Sequence, residues 1–441
     1  MARRSTNDDY NATSRNLLLK VEIYFDGLSN PPLVVTRSNY LMTCSGLEES
    51  GAEDANPLGA ISANEVDITL FSQNGMFNPA NTTSPYYGKM ILDLPLKVFI
   101  KPNDDTVDWD PLGVFYVTNW SAPSAGTTAD ITAADELQKL FRLPQPNIPV
   151  TRNQSFINFF EQIFTALGFT AEVSDLLIEE LNFTYANDKP RVLLQELVRA
   201  AVAYCTTDKN GKIVVKPFLG NGAIVATITD SDQINDIKLT QSVLKTYDGV
   251  QLIYHTHQLS EQQTVVDLKG VPVGAGTKVL DTVSFSKTPL LTVTGIKTTA
   301  KPNMLKINQY EATTKDIVLT VQNDGAQMDC DINVRGIVVE TVATVLAEMC
   351  NNPLKLESLF IQNAAYATKY QELMKKFVNN PLPTIELTVR GNPLLSIGDK
   401  VYVDSKKYKL KYTGIVQRHT YEYSGGLTSK LTLLNALILE G

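Results

Sequence analysis

The 441-residue sequence is poor in the residues that most often carry chemistry. It holds three histidines, four cysteines and two tryptophans. So few histidines leave little proton-carrying capacity near neutral pH. No run of about 18 apolar residues occurs, which predicts no membrane span. The residues from Met1 to Asn16 are polar and lack the apolar core of a signal peptide, so synthesis and folding in the cytoplasm are expected. Cys44, Cys205, Cys330 and Cys350 are scattered, with no CxxC spacing, and four reduced thiols are expected in preference to disulfides or metal ligands. Basic charge is also short: 39 Lys and Arg against 47 Asp and Glu give −8. Such a surface repels phosphate backbones and argues against stable nucleic-acid binding.

Catalytic patterns are missing as well. There is no GxSxG elbow, no HExxH and no phosphate-cradling glycine loop. His255 and His257 lie two apart, so on a strand both point to one face, as two metal ligands would. A pair of strand-surface histidines is the plainer reading. Glu48-Glu49, Asp104-Asp105 and Glu179-Glu180 are paired carboxylates of the kind a glycosidase uses, but their segments read as solvated surface. Tyr86-Tyr87 and Tyr421 with Tyr423 suit either ligand stacking or packing, and packing is favoured. No catalytic residue, cofactor site or metal site is therefore assigned.

What the sequence does contain is alternation. Leu19, Val21, Ile23 and Phe25 take one face of a predicted strand, and Val66–Leu70 and Ile385–Arg390 repeat the pattern. Asn74-Gly75, Asn210-Gly211, Asp248-Gly249, Asn323–Gly325 and Gly425-Gly426 supply turn residues that tolerate positive φ. Three helices are predicted. One runs over about Ser155–Leu167. A second follows an N-cap at Asp188 with Pro190 in its first turn, its buried stripe being Leu193, Leu197, Ala200 and Tyr204. The third spans about Asn363–Phe377 with Pro381 beyond.

At 43% hydrophobic and 20% charged residues the chain is that of folded protein, and its length suggests three or four domains. The fold class is mainly β with α+β parts, multidomain. The expected division is a polar arm at 1–16, a β domain at 17–142 and a small α/β domain at 143–225. A further β domain at 226–353 follows, then a helix plus closing β domain at 354–441. Val279–Val293 reads as one long extended stretch.

Two segments resemble the tail hub (baseplate hub) family of long-tailed bacteriophages and related tail-like injection particles. The first runs from Asn64-Glu65-Val66 through the Asn74-Gly75 turn, Phe77-Asn78-Pro79 and Pro85-Tyr86-Tyr87-Gly88. It continues into Leu112-Gly113-Val114-Phe115-Tyr116-Val117 and ends at Ala129–Leu137. The second is Arg390-Gly391-Asn392-Pro393-Leu394-Leu395, then Ile397-Gly398-Asp399-Lys400-Val401, followed by His419-Thr420-Tyr421 and the Gly425-Gly426 hairpin. Between them, Pro190–Tyr204 leading into Asp208-Lys209-Asn210-Gly211-Lys212 is similar to the family's middle α/β domain. The family's usual acidic turn reads Ser72-Gln73-Asn74-Gly75 here, and the arm before Leu17 has no counterpart.

The resemblance implies two tail-tube-like β-barrels plus a small α/β domain. It implies a homotrimeric ring joining the tail tube to the tip or spike, through which genome and tape-measure protein pass. Its partners would be a tail-tube or distal tail ring protein, the tape-measure protein and a spike or fibre protein. The place would be the virion tail tip, assembled in the host cytoplasm. Since the sequence stops at Gly441, just past the closing β domain, no fused enzyme is expected. The signature residues, Asn74, Gly75, Pro85, Tyr86, Tyr87, Gly88, Arg390, Gly391, Asn392, Pro393, Gly398 and Asp399, would shape backbone. The rival readings are a carbohydrate-binding or adhesin-like β-protein of the tail tip, using Tyr86 and Tyr421, and a hydrolase without a familiar motif.

Overall fold

The computed structural model describes residues 4–11, 15–49, 61–123, 127–174, 180–186, 188–218, 222–233, 237–238, 247–280, 282–299, 305–347, 349–380 and 384–438. Glu179, Pro381 and Gly441 lie outside them.

Seven strands follow a short helix, α1 (Asn7–Asn11). They are β1 (Leu17–Ile23), β2 (Leu33–Thr36), β3 (Leu41–Glu49), β4 (Glu65–Phe71), β5 (Pro95–Pro102), β6 (Asp110–Ser121) and β7 (Thr128–Ala134). They pair antiparallel in the order β2-β1-β5-β6-β7-β4-β3. In β1 the residues alternate buried and half-buried along LLLKVEI, as their alternating polarity requires. The strand stops at Ile23, so Phe25 lies beyond it, stacked on Tyr86.

The middle of the chain holds α2 (Glu136–Phe141), β8 (Thr151–Ser155), α3 (Phe156–Ala166), β9 (Ala171–Val173), β10 (Glu180–Thr184), α4 (Pro190–Ala200), β11 (Ala203–Thr207) and β12 (Ile213–Pro217). Helix α3 begins at Ser155, whose hydroxyl accepts from Asn158 N, a side-chain cap of the expected kind. Two helix expectations are corrected. The cap residue of α4 is Lys189 and not Asp188. Tyr204 belongs to β11, because the chain turns at Val202 with φ +51°.

β13 (Ile224–Thr229) then leads into an outlying β body. Its strands are β14 (Gly249–Leu259), β15 (Gln263–Val273), β16 (Gly276–Val279), β17 (Val283–Ser284), β18 (Leu290–Thr298), β19 (Leu305–Ala312), β20 (Asp316–Asn323) and β21 (Met328–Leu346), with β22 (Pro353–Ser358) beside β14. Val279–Val293 is thus three strands rather than one stretch. The first half of β21 pairs with β15 and β18, its second half with β14. Val265, Ile317, Leu319, Val321, Ile332 and Val334 form a core of this body's own.

Helix α5 (Ala364–Asn379), capped by Asn363, precedes the closing strands β23 (Thr384–Arg390), β24 (Lys400–Ser405), β25 (Leu410–Tyr423) and β26 (Leu427–Asn435). β25 pairs with β24 and β26, and its far end also pairs with β3. A single 12-stranded sheet therefore runs from the first strands into the closing ones. Tyr421, Tyr423 and Leu427 enter the first core, while the helices and the closing strands share a second.

Candidate functional site: a buried charged junction

The two strand groups meet the β11–β12 hairpin at one place. Where β3 pairs with β25, His419 lies opposite Glu48 and Tyr421 opposite Gly46. A Cβ on Gly46 would stand 2.2 Å from the Tyr421 ring, so glycine is what allows that ring to cross β3. The hairpin tip is an Asx turn, Asp208 Oδ1 accepting from Asn210 N at 2.9 Å and Lys212 N at 2.8 Å. At its apex Gly211 has φ +84°, and a Cβ there would meet Val114 of β6 at 2.8 Å.

Polar side chains tie this hairpin on both sides. Asn64 Nδ2 donates to Thr206 Oγ1 and Thr207 Oγ1, each at 3.1 Å. Asp135 accepts from Thr207 Oγ1 at 2.6 Å, and from Asn64 N and Leu137 N at 2.9 Å, which also caps α2. Lys209 Nζ donates to the carbonyls of Pro393 and Leu395, the latter at 2.9 Å. An ammonium thus staples the middle hairpin to the 391–399 loop. A cavity of about 100 Å³ lies beside it, lined by Glu48, Lys209, Thr206 and Lys216 among others.

Low polarity shifts these groups towards their neutral forms. Burial pushes Glu48 up to about 7, with Lys209 pulling it down and Asp399 and Asp135 pushing it further up. Burial likewise raises Asp135 to about 7 against its hydrogen bonds. It raises Asp399 and lowers Lys209. His419 falls to about 3 through burial and the nearby Lys209 charge. His419 Nε2 is 2.9 Å from Ser429 Oγ, but both residues are shut off from solvent, so the pair has no substrate access.

The polar arm is anchored here too. Tyr10 is fully buried and donates to Asp110 Oδ2 at 2.6 Å. Asn7 Nδ2 donates to Val225 O at 2.8 Å, and Arg15 donates to Tyr10 O, to Gly391 O at 2.7 Å and to Leu427 O at 3.1 Å. The arm straps the first strands to the closing ones.

Of the sequence-derived residues, the second group is at this junction. Arg390 ends β23, its N–H donating to Asp232 O at 2.8 Å. Gly391 N donates to Leu427 O at 3.0 Å. Buried Asn392 donates to Asn7 Oδ1 at 2.9 Å and accepts from Leu394 N at 3.0 Å. Pro393 supplies the carbonyl for Lys209. Gly398, at φ +86°, leaves no room for a Cβ beside the Tyr204 hydroxyl, and Asp399 accepts from Ser396 N at 2.8 Å. The first group sits in the loop after β4. Asn74 and Gly75 take φ +54° and +68°, and Asn81 Nδ2 donates to both their carbonyls. Tyr86 stacks on Phe25 at 4.4 Å and on Phe77 at 5.8 Å, while Pro85, Tyr87 and Gly88 are exposed.

Two other expectations need correction, those for Glu48 and for the strand histidines. Glu48 is buried rather than solvated, whereas Asp104 and Asp105 are exposed. His255 and His257 are buried, not on the strand surface. The first meets Glu357 at 2.9 Å, and the second meets Thr341 Oγ1 at 3.0 Å and Leu359 O at 3.1 Å. Tyr421 and Tyr423 are buried and offer no ligand platform. All four cysteines are free thiols. The roles of Lys209, Asp135 and Asn64 are not legible in the sequence, where their local contexts read as an ordinary turn and ordinary strand ends.

No family model and no curated protein matches the sequence. Two solved structures resemble this one over nearly their whole length. The 43 kDa tail protein of prophage MuSo2 from Shewanella oneidensis is 11% identical, with a TM-score of 0.54, covering 96% of this chain and 99% of that one. A tail protein from Neisseria meningitidis MC58 is 10% identical, also at TM-score 0.54, covering 96% and 98%. At such identity the likeness is one of fold, and the chain has the multidomain, mostly β tail-protein fold that its resemblance to the hub family implied.

Proposed function

We propose that this chain is a non-enzymatic structural protein of a phage tail or tail-like particle. Its place would be the hub, a homotrimeric ring joining the tail tube to the tip or spike, with tube, tape-measure and spike or fibre proteins as partners. The observation that carries this reading is the continuous sheet from β2 to β13. It fixes two groups of strands, within about 17–142 and 354–441, in one rigid frame. Three such chains present six strand groups, which suits a sixfold tube above and a threefold tip below. Arg15, Lys209, Asp135 and Asn64 serve to hold that frame, and the signature residues from Arg390 to Asp399 shape the loop they grip.

Native mass measurement should find three chains per particle, and electron microscopy a ring. A stable monomer or dimer at assembly concentrations would overturn the hub reading. The carbohydrate-binding alternative loses Tyr421 to the core, and no glycan should bind the isolated chain.

A further inference from the structure

Two hairpin tips of the long sheet carry opposite charge. Between residues 404 and 411, where β24 turns into β25, four lysines stand with one aspartate. Between 101 and 110, where β5 turns into β6, four aspartates stand with one lysine. Lys406, Lys407, Lys409 and Lys411 are exposed, and so are Asp104, Asp105 and Asp108. Lys406, Lys409 and Lys411 have no ion-pair partner among the described residues. A chain of net charge −8 thus gathers positive charge at one tip and leaves it unanswered there.

Both tips are held in shape from beneath. Asp230 accepts from Ser405 Oγ, from Lys406 N at 2.9 Å and from Lys407 N at 3.1 Å, which fixes the basic turn by its backbone. On the acidic tip Asp104 Oδ1 accepts from Thr106 N and Thr106 Oγ1, each at 2.8 Å. Asp105 next to it is fully exposed, with Lys101 Nζ at 4.0 Å. Turns that are already ordered lose little freedom on docking.

Strand directions decide where the tips lie. β25 pairs antiparallel with β3, β3 with β4, β4 with β7 and β7 with β6, so β25 and β6 run the same way. Each tip leads straight into one of these two strands, and both therefore lie at one end of the sheet. Across the sheet β24 is second from the β13 end and β5 third from the β2 end, which puts the tips towards opposite flanks. Opposite charges on opposite flanks, at one end of the strands, are what a head-to-tail contact between copies needs. Such contacts generate a ring when the rotation from copy to copy closes.

We propose that the β24–β25 tip docks on the β5–β6 tip of a second copy of this chain, lysines against aspartates at each junction of the ring. This rests on the ring reading given above and supplies its contact. Exposed ion pairs add little energy singly. A complementary cluster on each side steers the encounter, sets the register and rejects wrong partners.

The test follows self-association of the full chain by sedimentation velocity. Lys406→Glu/Lys409→Glu reverses one tip and Asp105→Lys/Asp108→Lys the other, with Asp104 left to shape its turn. Each reversal should raise the concentration for half-assembly at least tenfold, while Glu261→Lys in the outlying body stays within twofold of wild type. The four-site variant carrying both reversals should assemble as wild type does. Salt raised from about 0.05 to 0.5 M should weaken wild-type association, a check that stands even where a reversal misfolds. Association indifferent to both reversals or to salt, or a folded four-site variant no better than either reversal, would overturn the contact and leave the ring standing. A wild-type chain that stays monomeric would overturn the ring itself, and the contact with it.

Discussion

The first and closing strand groups are joined in a way that the outlying β body is not. Between the groups, β25 hydrogen-bonds β3, two tyrosines and a leucine cross into the neighbouring core, the arm straps over the top, and Lys209 binds two carbonyls. The outlying body has a separate apolar core and reaches the rest chiefly through β14 and the far half of β21. A sheet plus a buried polar network fixes orientation as well as affinity, since hydrogen bonds are directional and their loss is costly. The outlying body keeps an apolar core of its own, which lets it unfold as its own cooperative unit. Damage at the junction should therefore be global, and damage in the outlying body local.

The largest expected effect comes from the junction. Lys209→Ala strands the Pro393 and Leu395 carbonyls and removes a cation that faces both Glu48 and Asp399. It should cost about 4 kcal/mol, because breaking one side of a buried charged group leaves the other uncompensated. Urea unfolding followed by tyrosine signals should show the whole curve shifting. Loss confined to one body would break the comparison.

Ile332→Ala comes next. Ile332 is fully buried in the outlying core, and truncation there should cost about 3 kcal/mol. Here hydrogen exchange should quicken within about 263–338 and hardly change in β1 to β7. Uniform quickening would show that the outlying body is not a separate unit.

How far the sequence revealed this difference depends on the residue. Alternation exposed β1, β4 and β23 because each has one wet and one dry face. Apolar stripes at helical spacing exposed α3, through Phe156, Phe159 and Ile163, and α5, through Tyr366, Tyr370 and Phe377. Tyr204 was misread because Leu193, Leu197, Ala200 and Tyr204 keep helical spacing across a turn made by Val202, a residue that gives no turn signal. Helix α2 is only six residues long, too short for periodicity to register. Glu48, Lys209 and the two strand histidines were legible as types but not as buried groups. Glu48 is covered by β25, about 370 residues further along the chain, and the histidines of β14 by β21 and the 357–359 segment, 84 to 102 residues further on.

A smaller effect concerns pH. Glu48 titrates near 7 in the folded chain, well above an ordinary glutamate, because burial penalises its charge. A raised acid stabilises the fold fully below its unfolded value and loses that contribution as pH climbs through the folded one. Glu48→Gln removes this term. The stability of wild type relative to the variant should thus fall by about 3 kcal/mol between about pH 4.5 and 7.5. His419, whose depressed value gives the opposite slope, is present in both proteins and cancels. Parallel pH profiles would mean that Glu48 is not shielded at the junction.

The smallest effect separates two neighbouring tyrosines on the first strand group. Tyr86 is stacked between Phe25 and Phe77, in a loop pinned by Trp120 Nε1 donating to Phe77 O at 2.9 Å and Ser84 Oγ donating to Met76 O at 2.6 Å. Tyr87 is 52% exposed, and Ile91 and Leu92, four and five residues further along the chain, are exposed as well. Stacked rings add to burial, so Tyr86→Ala should cost about 1–2 kcal/mol, whereas Tyr87→Ala should lie within about 0.5 kcal/mol of wild type. In the proposed hub, apolar surface of the Tyr87 kind would face a neighbour, since exposed apolar groups in a patch are a liability unless covered on assembly. Tyr87→Ala should accordingly leave thermal unfolding of the monomeric chain unchanged while weakening self-association in sedimentation. If Tyr87→Ala unfolds the chain and Tyr86→Ala does not, the loop packs in the opposite sense to the one described, and its outward face belongs to Tyr86.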